Sequence, residues 1–405
     1  MPSKGGWLGV AAGVLCAASV AWLANGEDGA VAASAAAPAP PGPGLPFLGE
    51  GPALAAPDAG ARAARQRELR EHFALVDQTY CHYATGTRYP PVSQPISQHP
   101  DQVYPNAPVT EAHPMRTSGS GSDASVLVQT SQSRVFMAAG ESAAFSVRAV
   151  DKQGTVLPLV ITRALAQGMT YQGTRATAQI SLPFADDGSG ADAVPGDGAY
   201  AGVLSPAQTG LAGFAGTIRT EVQYSVNGKR GFVLFDVIYS PELPATWTGQ
   251  VREAVEEGSL VFYLKANVRQ AGRYVVSGRV DDASGKPFAM ATFNDLLPSG
   301  PAEVKLTVFG KLLRDAGPAL PLKLRDIEGY LLKENVDPDR ALMPRLEGTV
   351  MVSKPYPVKG FSDAEWQSEE RERHLAEFSR DVKLARAALV KFDPQVPPPK
   401  SACMP

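Results

Sequence analysis

Apolar and polar residues alternate at period two through most of the stretch from Ala143 to Val352, turn signals punctuate that stretch at short intervals, and helical periodicity is confined to its flanks. Together these predict an all-β fold: two consecutive Ig/fibronectin-III-like β-sandwiches over 117–242 and 250–356, joined through Pro241 and Pro244. An N-terminal signal or anchor helix (1–26), a disordered Ala/Pro/Gly linker (27–61) and a C-terminal amphipathic helix complete the expected architecture.

At the front, the apolar run Trp7–Ala24 holds about 18 residues, enough at ~1.5 Å each to approach the ~30 Å hydrocarbon core of a bilayer. Trp7 and Trp22 near its ends suit a retained transmembrane anchor, whereas Ala24-Asn25-Gly26 suits cleavage by a signal peptidase. Leu15 before Cys16 argues against lipidation. Both surviving readings place the protein outside the cytoplasm, in the periplasm, at the cell surface or secreted. From Gly29 to Ala61 the chain is almost uncharged Ala, Pro and Gly, too poor in apolar side chains to offset the entropy of ordering it, and reads as a spacer.

The segment 62–116 is expected to form a short helix followed by a Tyr/Pro-rich strap. Tyr80, Tyr83, Tyr89 and Tyr104 are interleaved with prolines that break strands and helices alike, so an extended path across the first sandwich is expected, with tyrosines as anchors or as a ligand surface. Cys81, His82, His99 and His113 match no metal-binding spacing.

In the first sandwich the firmest element is the hairpin from Ile218 to Tyr239. Asn227-Gly228 supplies a type I′ turn, which pairs Val226 with Lys229, Tyr224 with Gly231, Val222 with Val233, Thr220 with Phe235 and Ile218 with Val237. In the second, Leu260, Phe262 and Leu264, then Tyr274, Val276 and Val280, then Val304, Leu306 and Val308 point inward, with Arg279 among the alternating polar positions. The closing helix, 362–392, is expected to be capped by Ser362 with Glu365 reaching back. Its stripe of Leu375, Phe378, Val382 and Leu389 either docks on a sandwich or offers a seam to a partner in a larger envelope assembly. A Pro-rich tail, 393–405, follows.

A net charge of −3 without a basic cluster argues against nucleic acid as a partner. No nucleophile elbow, zinc-binding helix, phosphate loop or Cys-x-x-Cys is present, so the sequence reads as non-enzymatic. Of the three cysteines, Cys81 and Cys403 can pair in an oxidising compartment, although Cys403 on its tail is equally suited to an intermolecular bond or a free thiol.

The stretch Asp186-Asp187-Gly188 … Ala191-Asp192 … Asp197-Gly198-Ala199-Tyr200 is the most distinctive in the chain. Its aspartates and glycines suit a tight acidic turn, and Asp186, Asp187, Asp192 and Asp197 also offer hard oxygen ligands for calcium, without the spacing or terminal Glu of an EF-hand. The pattern resembles the β-sandwich of bacterial exported proteins called choice-of-anchor X, and a similar stretch occurs in the sandwich domain of calcium-activated chloride channel regulators. Ala271-Gly272-Arg273-Tyr274, Phe309-Gly310-Lys311 and Gly317-Pro318 are similar to that family's second sandwich. The resemblance implies surface or envelope location and no defined activity; separately, two sandwiches presented on a spacer are expected to meet an envelope protein or glycan. The family varies its anchor at the carboxyl end, whereas here the anchor, if kept, is at the front.

Overall fold

The structure, a computed structural model, describes residues 59–117, 121–170 and 177–404. The expected signal or anchor segment and nearly all of the linker lie outside the described residues. No described helix is long and apolar enough to cross a membrane.

The chain enters through helix α1 (Ala59–Gly86) and the short strand β1 (Ser93–Pro95). Strands β2 (Val109–Arg116), β3 (Ser122–Gln132), β4 (Phe136–Ala138), β5 (Ala143–Val150), β6 (Leu159–Gly168), β7 (Gln179–Ser181), β8 (Tyr200–Leu204), β9 (Gly216–Val226) and β10 (Lys229–Ser240) build the first sandwich. Its two sheets have the orders β2-β3-β5-β8 and β4-β10-β9-β6-β7, with only β4 and β10 parallel.

The second sandwich contains β11 (Ala245–Glu256), β12 (Ser259–Val268), β13 (Gly272–Asp281), β14 (Pro287–Leu297), β15 (Gly300–Val308), helix α2 (Gly310–Ala316), β16 (Lys323–Leu332), β17 (Arg340–Leu342) and β18 (Leu346–Val352). A three-stranded sheet, β11-β12-β15, faces β1-β14-β13-β16-β17, in which β18 also pairs with β16. Helix α3 (Glu369–Phe392) closes the fold, and 62–405 forms one compact unit. The architecture is all-β, two sandwiches with helical flanks.

Local chemistry accounts for the strands. In β9 and β10 every expected pair is formed, from Val226 opposite Lys229 to Ile218 opposite Val237, and Asn227 and Gly228 take φ of 50° and 74° at the turn. A Cβ on Gly231 would stand 2.8 Å from the Tyr224 ring, so the tyrosine does lie over the glycine opposite it. Phe145 stacks on Phe235 at 4.7 Å and joins the two sheets of this core. Leu260, Phe262, Tyr274, Val276 and Leu306 fill the second core.

Three expectations are corrected. The segment expected as an irregular strap is regular at both ends: Tyr80 and Tyr83 lie on α1, and Val109–Arg116 is a full strand of the first sandwich. What remains, 87–108, lies on the second sandwich instead of the first, with β1 added to the edge of β14. Helix α3 begins at Glu369, where the Ser368 side chain accepts from Arg371 N. Ser362 is not its cap, because its backbone N–H pairs with the Gly258 carbonyl and Glu365 is taken by the Arg371 guanidinium at 2.6 Å.

The apolar stripe of α3 packs on α1 rather than on a sandwich. Val382, Ala385 and Leu389 are buried against Phe73 of α1, with Leu69, Val76 and Tyr80 alongside. Phe378 meets the Tyr83 ring edge-on at 5.3 Å, and Leu375 is half-buried. Tyr83 meets the start of α3 while Gln66 bonds Asp393 just past its end, so the two helices run antiparallel.

Candidate functional sites

The strap is held by an arginine on the outer side of the second sandwich. Arg279 alternates with the core residues Tyr274, Val276 and Val280, yet it is 0% exposed. Its guanidinium donates to the Gln102 carbonyl (3.0 Å), Gln102 Oε1 (2.6 Å), the Asp326 carbonyl (3.1 Å) and Glu328 Oε1 (2.7 Å). Arg325 donates beside it to the Val103 carbonyl at 2.9 Å. Burial opposes the charge on Arg325, but Asp281 and Asp326 outweigh it and raise its affinity for the proton. A proline-broken segment suits this role, since its carbonyls are not committed to a sheet ladder and are free to accept from arginine.

Between the strap and the two sandwiches lies a cleft of about 640 Å³. Tyr104 on the strap, Phe136 from the first sandwich and Tyr330 from the second bring aromatic faces, and Tyr104 is 68% exposed. Arg340 stacks over Tyr330 at 4.8 Å and Phe136 at 5.3 Å, while Asp339 secures its charge. Arg134 bridges Glu141 and Glu347, both at 3.2 Å, and so ties the sandwiches across the cleft. Sequence reasoning named Tyr104 only as one of four strap tyrosines, expected to serve as anchors or as a ligand surface. It missed the arginines, because no local pattern brings Arg134, Arg340 and Arg345 together.

The acidic loop between β7 and β8 is ordered by its own aspartates. Asp186 accepts from the backbone N–H groups of Gly196 (2.7 Å), Asp197 (3.2 Å) and Gly198 (2.9 Å). Asp192, buried, accepts from Gly188 (2.6 Å) and Val194 (3.2 Å), and Asp197 from Ala199 (2.8 Å). Gly188 and Gly198 permit the tight path at φ of 73° and 83°.

Ligand oxygens of Asp186, Asp192 and Asp197 lie within 4.8 Å of one another, and none of the three forms an ion pair with a described lysine or arginine. This donor set of hard carboxylate oxygens, on a loop with four aspartates and no lysine or arginine, fits a calcium ion in chemistry and spacing. Asp187 stands apart. Its carboxylate accepts from Ser189 Oγ (2.7 Å) and N (3.0 Å), which holds its pKa below the usual range, so the expected four-aspartate set reduces to three.

Cys81 on α1 and Cys403 on the tail form a disulfide, with Cα atoms 5.4 Å apart. This resolves the cysteine alternatives in favour of the intrachain bridge and removes Cys81 from any metal site.

No family model and no curated relative matches the chain. Among solved structures it overlaps partially with the crystal structure of a DUF4785 family protein from Legionella pneumophila, at 15% identity and TM-score 0.34, over 58% of each chain. The chain thus spans just over half the length of that protein. Fibronectin(III)-like modules of Clostridium thermocellum CbhA overlap at 13% identity and TM-score 0.18, over 52% of this chain and 84% of theirs. The native conformation of E. coli alpha-2-macroglobulin, seen by cryo-EM, overlaps at 13% identity and TM-score 0.26, over 59% of this chain and 15% of that one. The all-β sandwich architecture rests on the sheets themselves.

Proposed function

We propose that this chain is an exported, non-catalytic envelope protein of the choice-of-anchor X type, and that it presents the cleft beneath the strap as a binding surface for an envelope glycan. The observation that carries the reading is the cleft, where an exposed tyrosine and arginine–aromatic stacks are contributed by the strap and both sandwiches and pinned by the buried Arg279. Aromatic faces flanked by fixed arginine and carboxylate groups suit sugar rings and their hydroxyls.

The Cys81–Cys403 disulfide supports the exported location, because such bonds persist in oxidising compartments. The alternative of docking into a larger assembly through α3 is less favoured, since Val382, Ala385 and Leu389 of its stripe are already buried against Phe73 of α1. Titration of envelope polysaccharide fragments into the native protein and into Tyr104→Ala and Arg340→Ala tests the proposal. Binding by the native protein that each substitution weakens at least tenfold supports it. Binding unaffected by both places the ligand elsewhere, and turnover of any fragment overturns the non-catalytic reading.

A further inference from the structure

Helix α3 carries its charges unevenly along its length. Its first turn holds Glu369, Glu370 and Glu372, and charges at this end are paired, as in Arg373–Glu369 at 3.2 Å and the buried Arg371, bonded to Glu365 and Thr87. The last turns differ. Arg380, Lys383, Arg386 and Lys391 are all exposed, and none of them forms an ion pair or a hydrogen bond through its side chain with a described residue. A helix dipole favours cations in the last turn, which holds Lys391, but does not account for the other three.

Val382, Ala385 and Leu389 turn one side of α3 to Phe73 of α1. At about 3.6 residues per turn, the four cations share the arc turned away from that contact. Leu384 falls between Arg380 and Lys391 on this arc, and Val390 between Lys383 and Arg386. These two apolar side chains are 62% and 40% exposed. The sandwiches take no part in the small core at this end, which the two helices share with Met404 of the tail.

The start of α1 adds to the same charge. It lies beside the end of α3, as the Gln66–Asp393 bond shows, and brings Arg62, Arg65, Arg67 and Arg70. The stretches 62–71 and 380–393 together hold eight basic and four acidic residues, a net charge of +4 in a chain of net −3. Packed helix axes lie about 8–10 Å apart, within the Debye length of about 10 Å at 0.1 M salt, so the two sets act as one field. Folding thus gathers a basic cluster from two distant segments.

We propose that the outer face of α3 from Arg380 to Lys391 rests on an anionic phospholipid bilayer, its cations among the headgroups and Leu384 and Val390 at the acyl boundary. A soluble polyanion would satisfy the cations alone. The exposed apolar side chains set among them favour a surface with an apolar layer beneath its charge. The face is separate from the cleft beneath the strap and stands or falls apart from it.

The test uses the full chain in a Cys16→Ser background, with an environment-sensitive dye attached through Ala387→Cys on the same exposed face. The dye reports on α3 whatever the rest of the chain does. It is titrated with phosphatidylcholine vesicles and with vesicles that also hold about one third phosphatidylglycerol. The anionic vesicles are expected to shift the emission to the blue, reversibly with salt, and the neutral ones to need at least tenfold more lipid. Joint Lys383→Gln and Arg386→Gln is expected to weaken anionic-vesicle binding by about fivefold per residue, and Leu384→Ser to weaken it several-fold. Joint Lys152→Gln and Arg163→Gln removes equal charge from exposed positions of the first sandwich and is expected to change binding less than twofold. No shift, an equal response to both vesicles, or equal weakening by the two charge pairs overturns the proposal. The same shift with dextran sulfate, and no effect of Leu384→Ser, would assign the face to a soluble polyanion and overturn the membrane assignment.

Discussion

Arg279 grips Gln102 twice, through Nε to its backbone carbonyl and Nη2 to its side-chain oxygen, across 177 residues of chain. A fully buried guanidinium has lost its hydration and is compensated only by such partners, and truncating one side of a buried charged contact costs about 3–5 kcal/mol. Arg279→Ala is therefore expected to lower stability by about that amount and to release the strap. Arg279→Lys keeps the charge but not the planar fork, and is expected to recover only part of the loss. Urea unfolding with limited proteolysis of 87–108 checks this. A strap as resistant to protease in Arg279→Ala as in the native protein would show that β1 alone holds it.

The disulfide closes a loop of 322 residues, for which chain entropy predicts stabilisation on the order of 5 kcal/mol at most. Cys403→Ser is expected to lower the melting temperature and to expose the tail from Asp393 onward to protease, while the sandwiches keep their strand signature in circular dichroism. Thiol counting on the denatured, unreduced protein should find neither Cys81 nor Cys403 free. Two free thiols, or a dimer that reduction dissolves, would show that the tail is held by other means.

What was legible in the sequence followed how local the determining contacts are. The hairpin could be read to the residue because Asn227-Gly228 fixes the turn and the two-residue period carries that register outward. The strap could not, because its partner is a charged residue at a polar position of a strand, and Arg279 reads as solvent-facing until Gln102 is known to cover it. Likewise the stripe on α3 announced burial but not its cover, since Phe73 lies some three hundred residues earlier. Ser362 and Glu365 mimic a capping box, yet both are already taken by Gly258 and Arg371. The acidic loop was legible as a turn of aspartates, but which three converge depends on where its glycines bend the chain.

Asp186 and Asp187 are neighbours with unequal duties, and that inequality is measurable. Asp186 accepts from three backbone N–H groups on the far side of the loop, whereas Asp187 bonds only to Ser189 two residues on. Asp186→Ala is expected to cost about 2–3 kcal/mol, since three hydrogen bonds to a charged acceptor are lost, two of them from half-buried donors, and Asp187→Ala under about 1 kcal/mol. Melts of the native protein in calcium and in chelator add the cation test. A midpoint that rises with calcium in the native protein but not in Asp186→Ala assigns the three converging carboxylates an ion. An unchanged midpoint leaves the backbone donors as their sole compensation.

Tyr224 and Tyr274 are both fully buried, and burial pushes each phenol up to about 12. An unfolded tyrosine ionises near pH 10, so between about pH 10 and 12 the unfolded chain releases protons that the native protein retains. The stabilisation is intact below pH 10 and is lost as pH rises towards 12. Melting temperature is therefore expected to fall steeply over that window, and less steeply when either tyrosine is replaced by phenylalanine.

At neutral pH the two substitutions should separate. The Tyr274 hydroxyl lies 2.6 Å from the Gln270 carbonyl and 3.0 Å from that of Pro244, so Tyr274→Phe loses a buried hydrogen bond and about 1 kcal/mol. The Tyr224 hydroxyl is buried without a partner, so Tyr224→Phe removes an unsatisfied group while keeping the ring over Gly231, and is expected to be neutral or stabilising. Denaturant midpoints of both variants at pH 8 and pH 11 check the pair. Equal losses at pH 8 would show that Tyr224 finds a hydrogen-bond partner in solution, and the alkaline slope would then be assigned to Tyr274 and Tyr224 by their separate changes.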